Sequence, residues 1–292
     1  MKVALREKIN ALIGGGSVTR RSDAEKGAMW FGSGRYCPPG ACSRGEKGRS
    51  MNVAGLPQRL KRHGVLGSLK LVPKSVLFAA RNALSPNVRR RRAEGLEFDR
   101  TFGTKTQGVI PLGALGASLQ QAHESRGYYE AVSPDRLRAR LGRVPANVTG
   151  FTFIDYGAGM GRALLVASEY PFRRIVGVEL LPMLADIAER NLKQYRNPSQ
   201  RCFSIELFRG DAREFSPPGG NTVYLFNNPF GPEVLRQVLK RIERCHAGSD
   251  QVFAIYEIPR CSGAFASSGS WETIAGEGDA WQLYRKEVTQ PK

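Results

Sequence analysis

The sequence predicts an α/β protein built on a doubly wound, mostly parallel sheet that ends in an antiparallel hairpin. Three observations carry that expectation. From residue 151 to 260, short apolar runs alternate with stretches of helical periodicity. The pattern D-x-G-x-G-x-G, Asp155 to Gly161, stands where the first of those runs gives way to a helix. The last segment, "WETIAGEGDAWQLYRKE", reads as two strands around a Gly-rich turn.

Taken in order, residues 1–95 are rich in Gly, Ser, Arg and Lys, with "GGGS", "FGSGRYCPPGACSRGEKGRS" and "RRRR" at 89–92. They are expected to form a basic, largely disordered extension, with one short helix in "LGSLKLVPKSVLFAARNAL" and Met51 as an alternative start. Residues 96–150 are expected as an N-terminal helical or lid segment. Within it, Ser133 caps a helix whose first position is Pro134, and Leu137, Leu141 and Val144 share a face. Residues 151–292 form the ligand-binding domain. "FTFIDY" is a strand, "GRALLVASEY" a helix, "RIVGVEL" a strand and "PMLADIAERNLKQY" a helix. "FSIELFRGD" and "TVYLFNN" are strands, "GPEVLRQVLKRIERC" is a helix and "QVFAIYEIP" a strand. Apolar strands between helices mean a parallel sheet covered on both faces. No internal repeat is visible.

Composition narrows the setting. No run of about 18 apolar residues exists, so no membrane span is expected. The early charges, with Glu7, Asp23 and Glu25, fit neither a signal nor a transit peptide. Five scattered cysteines (Cys37, Cys42, Cys202, Cys245, Cys261) suit a reducing cytoplasm better than a disulfide framework, and "YCPPGACS" lacks zinc spacing. The net charge is +18. Residues 1–150 carry 27 Lys and Arg against 10 Asp and Glu, and the rest of the chain carries 17 against 16. That asymmetry suggests an anionic partner, nucleic acid, reached through the basic extension; the alternative is a solvated tail.

The glycine turn lies at the carboxyl end of a strand, where open α/β sheets bind ligands. Gly157, Gly159 and Gly161 permit a tight turn and close approach of a ligand, and the free N–H groups opening the next helix are expected as donors. A dinucleotide fingerprint needs a small residue at 162, where Arg162 stands, and no phosphate loop of the G-x-x-x-x-G-K-[ST] type occurs. Asp155 before the glycines repels pyrophosphate and attracts an ammonium. That points to a cationic nucleoside such as S-adenosyl-L-methionine. Glu179 ends the next strand and suits a pair of ribose hydroxyls. Asp211 is placed to accept from an adenine amino group, and the Ala212 N–H to donate to the ring. Asn227 and Asn228 offer carbonyl acceptors, with Pro229 and Phe230 as an apolar wall.

Together "DYGAGMG", "VGVEL", "GDA" and "NNPFG" resemble, in order, the motifs of class I S-adenosyl-L-methionine-dependent methyltransferases, over residues 125–260. The resemblance implies a Rossmann-like fold and that cofactor. "YYEAVSPDRL" and "NNPFGPEV" are also similar to the non-SET, disruptor-of-telomeric-silencing type of protein-lysine methyltransferase. By that resemblance Tyr128, Glu130, Asn227, Asn228, Gly231, Pro232 and Glu233 border the cofactor and a lysine channel. One residue is missing from the fourth motif, which leans also toward the N-P-P-[YF] signature of amide and nucleobase N-methyltransferases. "DYGAGMGRALLVAS" with "YPFRRIVGVE" looks still more like uncharacterised bacterial methyltransferases.

The expected chemistry is N-methylation of a protein lysine or similar amine. Asn227 or Asn228 orients the amine through a carbonyl oxygen, and Phe230, Pro229 and a tyrosine such as Tyr129 wall the channel. The alternatives are a small-molecule or nucleobase acceptor, or a non-catalytic nucleic-acid-binding protein on the same fold. His123 is a candidate proton acceptor, His63 lies in the basic extension and His246 caps a helix. Trp271 and Trp281 are core residues rather than substrate stackers. No metal is expected. "PRCSGAFASSGS" is a mobile lid or an ordinary loop.

Overall fold

Five strands rich in Val, Ile and aromatic residues run parallel at the centre of the computed structural model, which describes residues 85–287 apart from positions 119, 122, 123, 247 and 249. They are β3 (Thr152–Tyr156), β4 (Arg174–Glu179), β5 (Ile205–Arg209), β6 (Thr222–Phe226) and β7 (Val252–Glu257). β8 (Trp271–Glu277) and β9 (Trp281–Lys286) complete the sheet in the order β5-β4-β3-β6-β7-β9-β8, with β9 antiparallel to both its neighbours. The expected doubly wound sheet with a terminal hairpin is thus the observed fold. The chain steps outward from β3 to β5, then returns to β6 on the other side of β3. That reversal leaves a crevice beyond the carboxyl ends of β3 and β6.

Every residue of β3, β6 and β7 is buried, which is why they read as unbroken apolar runs. Successive side chains divide between two cores. Phe153, Val223, Leu225, Phe253 and Ile255 face α2 (Pro134–Leu141) and α3 (Arg162–Ala167). Ile154, Tyr156, Tyr224, Phe226, Ala254 and Tyr256 face α5 (Pro232–Cys245) and α6 (Gly263–Ser268). α4 (Pro182–Gln194) follows β4 and packs Ala188 under Gly161. Trp271 and Trp281 are buried, as expected of core residues.

Three segments differ from expectation. α1 (Pro86–Phe102) is a helix that runs across the boundary expected at residue 95, with Gly95 and Phe98 turned inward. Residues 1–84, which include most of the expected basic extension, its helix, Cys37, Cys42, Met51 and His63, lie outside the described residues, as does His123. The segment 96–150 is not wholly helical. It contains a two-stranded antiparallel sheet, β1 (Val109–Pro111) with β2 (Tyr128–Glu130), and a 3-10 turn at Leu112–Leu115. The Gly/Ser-rich "PRCSGAFASSGS" is neither open lid nor plain loop, because it folds α6 around buried Ala264 and Phe265. Ser133 caps α2 as expected: its Oγ accepts the Arg136 N–H at 3.4 Å and donates to Glu94 of α1 at 2.7 Å. No helix among the described residues is long and apolar enough to cross a membrane.

Candidate ligand-binding cleft

The register brings the functional strand ends level. Asp155 pairs with Gly177 and Leu225, and Tyr156 with Val178 and Phe226. Beyond them opens a cleft of about 890 Å³, lined by Tyr128, Tyr129, Glu130, Gly157, Gly159, Glu179, Asp211, Ala212, Asn227, Pro229 and Phe230 among others. A smaller cavity continues from it, walled by Tyr129, Glu130, Val132, Asp155, Gly157 and Asn227.

The three glycines all have positive φ, +81° at Gly157, +57° at Gly159 and +87° at Gly161, a region L residues rarely adopt. The turn is also tightly covered. A Cβ on Gly157 would lie 2.7 Å from Pro229, and one on Gly159 would lie 2.3 Å from the Tyr129 ring. The N–H groups of Gly157, Ala158, Gly159 and Gly161 are engaged within the protein. Gly157 and Ala158 donate to the Val178 carbonyl, Gly161 to the Ala158 carbonyl, and Gly159 to Glu179 at 2.7 Å. The turn gives a ligand room rather than donors.

Asp155 is 3% exposed and its Oδ1 has no hydrogen-bond partner. Burial, then the neighbouring Glu179 charge, pushes its carboxyl up to about 8. It faces the smaller cavity rather than the main cleft. Glu179 accepts Gly159 N–H on one oxygen and Leu181 N–H, at 2.8 Å, on the other. Burial raises its pKa and these N–H bonds oppose the rise. Each oxygen keeps a lone pair for one further donor. Asp211 lines the cleft but is held by Arg213 through the backbone N–H at 2.8 Å and the guanidinium at 2.5 Å, which keeps its carboxyl below the usual range. Ala212 lies beside it.

Asn227 and Asn228 part company. Asn227 lines both cavities, and its Nδ2 donates to the Glu130 carbonyl at 3.0 Å. That bond turns Oδ1 to the free end of the amide, without a partner among the described residues. Asn228 does not line the cleft. It is buried with φ +47°, and its Oδ1 accepts the Tyr256 hydroxyl at 3.4 Å. The backbone kink that sends Asn227 toward the cleft turns the next side chain inward. Gly231, Pro232 and Glu233 lie outside the cleft, with Glu233 paired to Arg236 on α5. Phe230 lines the cleft edge-on to Tyr156 and Phe226.

The segment 124–130 is stitched to this edge. Gly231 N–H donates to the Glu124 carbonyl at 2.7 Å, and Ser125 bridges Phe230. Arg126, which the sequence did not mark, donates to the carbonyls of Tyr128, Asn227 and Glu130 and to the Glu130 carboxylate, all at 3.1–3.2 Å. Its guanidinium lies 4.5 Å from the Tyr128 ring centroid. Tyr129, expected as a channel wall, lines both cavities from a buried position. Its hydroxyl donates to the Thr106 carbonyl at 2.6 Å and its ring covers Gly159, so Tyr128 is the tyrosine at the mouth. Arg162 is a buried tether: it donates to Thr106 Oγ1 at 2.6 Å and to the Gly95 carbonyl at 3.3 Å. His246 ends α5, where its ring meets the Tyr224 hydroxyl at 2.6 Å, far along the chain's other core.

No family model and no curated protein matches the chain. Among solved structures it is similar to a glycopeptide N-methyltransferase complexed with S-adenosyl-L-methionine, at 11% identity over 55% of this chain and 96% of that one, TM-score 0.44. It is similar to the ribosomal protein L11 methylase of Lactobacillus delbrueckii subsp. bulgaricus at 16% identity, over 56% of this chain and 81% of that one, TM-score 0.41. An RNA methyltransferase of Salinibacter ruber in complex with S-adenosyl-L-homocysteine matches at 19% identity over 55% and 93% of the two chains, TM-score 0.36.

Proposed function

We propose that the chain is an S-adenosyl-L-methionine-dependent methyltransferase that methylates a nitrogen, best a protein lysine or similar amine. One observation carries the reading: a buried carboxylate with an orphan oxygen, Asp155, faces a cavity that opens off a larger, carboxylate-rimmed cleft. A buried unpaired acceptor calls for a donor, and a cationic one relieves its charge as well. The residues fit that cofactor. Asp155 and the smaller cavity would hold its ammonium, Glu179 the ribose hydroxyls, and Asp211 with Ala212 the adenine edge. Gly157 and Gly159 would let it approach the backbone. Bound there, the cofactor supplies a methyl group on a sulfonium.

The chain's task is then to position the acceptor and strip its water. A lysine amine has a reference pKa of about 10.4, so presenting it neutral near pH 7.4 costs roughly 4 kcal/mol. Pro229, Phe230 and Tyr128 form an apolar rim that disfavours the ammonium form. The free Asn227 Oδ1 would accept an amine N–H and aim the nitrogen lone pair inward. The similarity of "YYE" and "NNPFG" to the protein-lysine methyltransferase motifs supports this acceptor class. Of the two candidates only Asn227 lines the cleft, which favours it as the orienting residue.

Calorimetric titration with S-adenosyl-L-methionine tests the cofactor. Micromolar binding that Asp155→Ala loses is the expected result, and no binding by either protein sinks the proposal. Tritiated methyl transfer into a lysate split into protein, nucleic-acid and small-molecule fractions then tests the acceptor, with label expected in protein.

A further inference from the structure

Away from the cleft, α1 opens with a charge arrangement that its own fold does not use. Arg89, Arg90, Arg91 and Arg92 crowd the first two turns, and the first turn contains no acid. Cations near the positive end of a helix are unfavourable, and so are like charges three residues apart. The arginines of α2 are answered by acids. Arg138 is paired with Glu169 at 2.7 Å, and Arg136 and Arg140 with Glu257 at 3.3 and 3.0 Å. Within the run 89–92 the only such pair among the described residues is Arg90 with Glu94, at 3.6 Å and with the Arg90 side chain 74% exposed; the helix's other pair, Arg100 with Glu97, lies at its far end. Arg89, Arg91 and Arg92 form no ion pair among the described residues, and the Arg91 Nε is buried without a partner. The sequence carries the same bias upstream: from residue 47 to 93 it has 12 Lys and Arg and no Asp or Glu.

We propose that this arginine face is a docking surface for RNA. The inference goes beyond methyl transfer and does not depend on it. Uncompensated charge at this density selects a polyanion. Every basic residue of α1 is arginine, whose planar fork grips phosphate oxygens and whose face stacks on an unpaired base. B-form DNA keeps its bases stacked inside and offers such a face only phosphates. A lipid surface would demand apolar side chains beside the charges, and Leu96 is the first large exposed one, a turn further on. The helix itself is tied to the segment that walls the smaller cavity. Glu94 accepts the Ser133 hydroxyl at 2.7 Å, and Val132, the residue before Ser133, walls the smaller cavity.

The test is fluorescence anisotropy of the full chain with a labelled RNA hairpin carrying an unpaired loop, and with a DNA hairpin of the same sequence, across a salt series. Arg89 and Arg92 are exposed, so the R89Q/R92Q protein is expected to keep its affinity for S-adenosyl-L-methionine. Its RNA affinity is expected to fall at least about tenfold, and its salt slope by about 2, one for each phosphate contact removed. R89K/R92K keeps the charge and is expected to keep the slope while losing the preference for RNA over DNA. The proposal is overturned if the full chain does not bind the RNA hairpin, if it binds the DNA hairpin as tightly, or if R89Q/R92Q matches the parent in affinity and slope.

Discussion

Raising the pH from 6 to 8 should tighten cofactor binding, and the size of the effect follows from Asp155. Burial and the Glu179 charge hold its carboxyl up to about 8, so at pH 6 it is almost wholly protonated. Binding an ammonium requires the ionised form, and the proton must leave. The ligand's own amino group titrates at about 7.7–8.0, so binding also requires pH low enough to keep it charged. The product of the two fractions rises roughly eightfold from pH 6 to 7, peaks near pH 8 and falls again toward pH 10. From pH 6 to the peak the gain is about 25-fold, or about 2 kcal/mol. Isothermal titration calorimetry in buffers of different ionisation enthalpy reads both the affinity and the proton released. Asp155→Asn removes the acidic limb and leaves only the ligand's own. It should also weaken binding at pH 8 by about 1.5–3 kcal/mol, the worth of a hydrogen bond to a charged group. A flat affinity between pH 6 and 8 in the parent protein, or an unchanged acidic limb in the variant, would refute a direct role for Asp155.

The same substitution should stabilise the fold. A carboxyl that stays neutral in the fold up to about pH 8 ionises near 3.8 once unfolded, so stability falls by about 1.4 kcal/mol per pH unit between those values. Asp155→Asn should therefore raise the thermal midpoint at pH 7, with the gain vanishing below pH 3.8, as scanning calorimetry at both pH values would read. Gly159→Ala puts a Cβ 2.3 Å from the Tyr129 ring at a φ of +57°. It should cost about 2–3 kcal/mol and abolish cofactor binding, measured by urea unfolding and titration. Asn227→Ala should lower methyl transfer about 100-fold with cofactor affinity little changed, because it removes the acceptor's anchor. Asn228→Ala should leave turnover alone and lose about 1–2 kcal/mol of stability for its left-handed backbone, with Asn228→Gly restoring most of it.

The sheet was legible because its central strands are buried on both faces. "FTFIDY", "TVYLFNN" and "VFAIYE" have no polar alternation to mistake for anything else, and helices between them force parallel pairing. α1 was not legible, because "PNVRRRRAEGLEFDRTF" buries only Gly95 and Phe98 and so shows almost no apolar stripe. β1 and β2 have three residues each, too few for a period of two to register. Their pairing draws on contacts far apart in sequence, such as Tyr129 with Thr106. α6 hides in a Gly/Ser-rich stretch because two side chains, Ala264 and Phe265, suffice to dock one and a half turns.

The cleft divides along the same line. Asp155, Glu179, Asp211 and Asn227 sit at or just past strand ends, so locating the strands located them. Arg126 and Arg213 did not stand out, since their partners are set by tertiary packing: Arg126 reaches the Asn227 carbonyl 101 residues away. The glycine turn itself spends its N–H groups within the protein and lends one to Glu179. What remains for a ligand is shape and charge. The cleft is lined by Glu124, Glu130, Glu179 and Asp211 against Arg126 and Arg213, and both arginines are already pinned by acids, Arg126 by Glu130 and Arg213 by Asp211 and Glu124. Four acids stand against two arginines, so the balance is negative. A pyrophosphate would meet carboxylates, whereas a cationic nucleoside would meet acceptors at each strand end, so the acids at the strand ends decide the sign of the ligand.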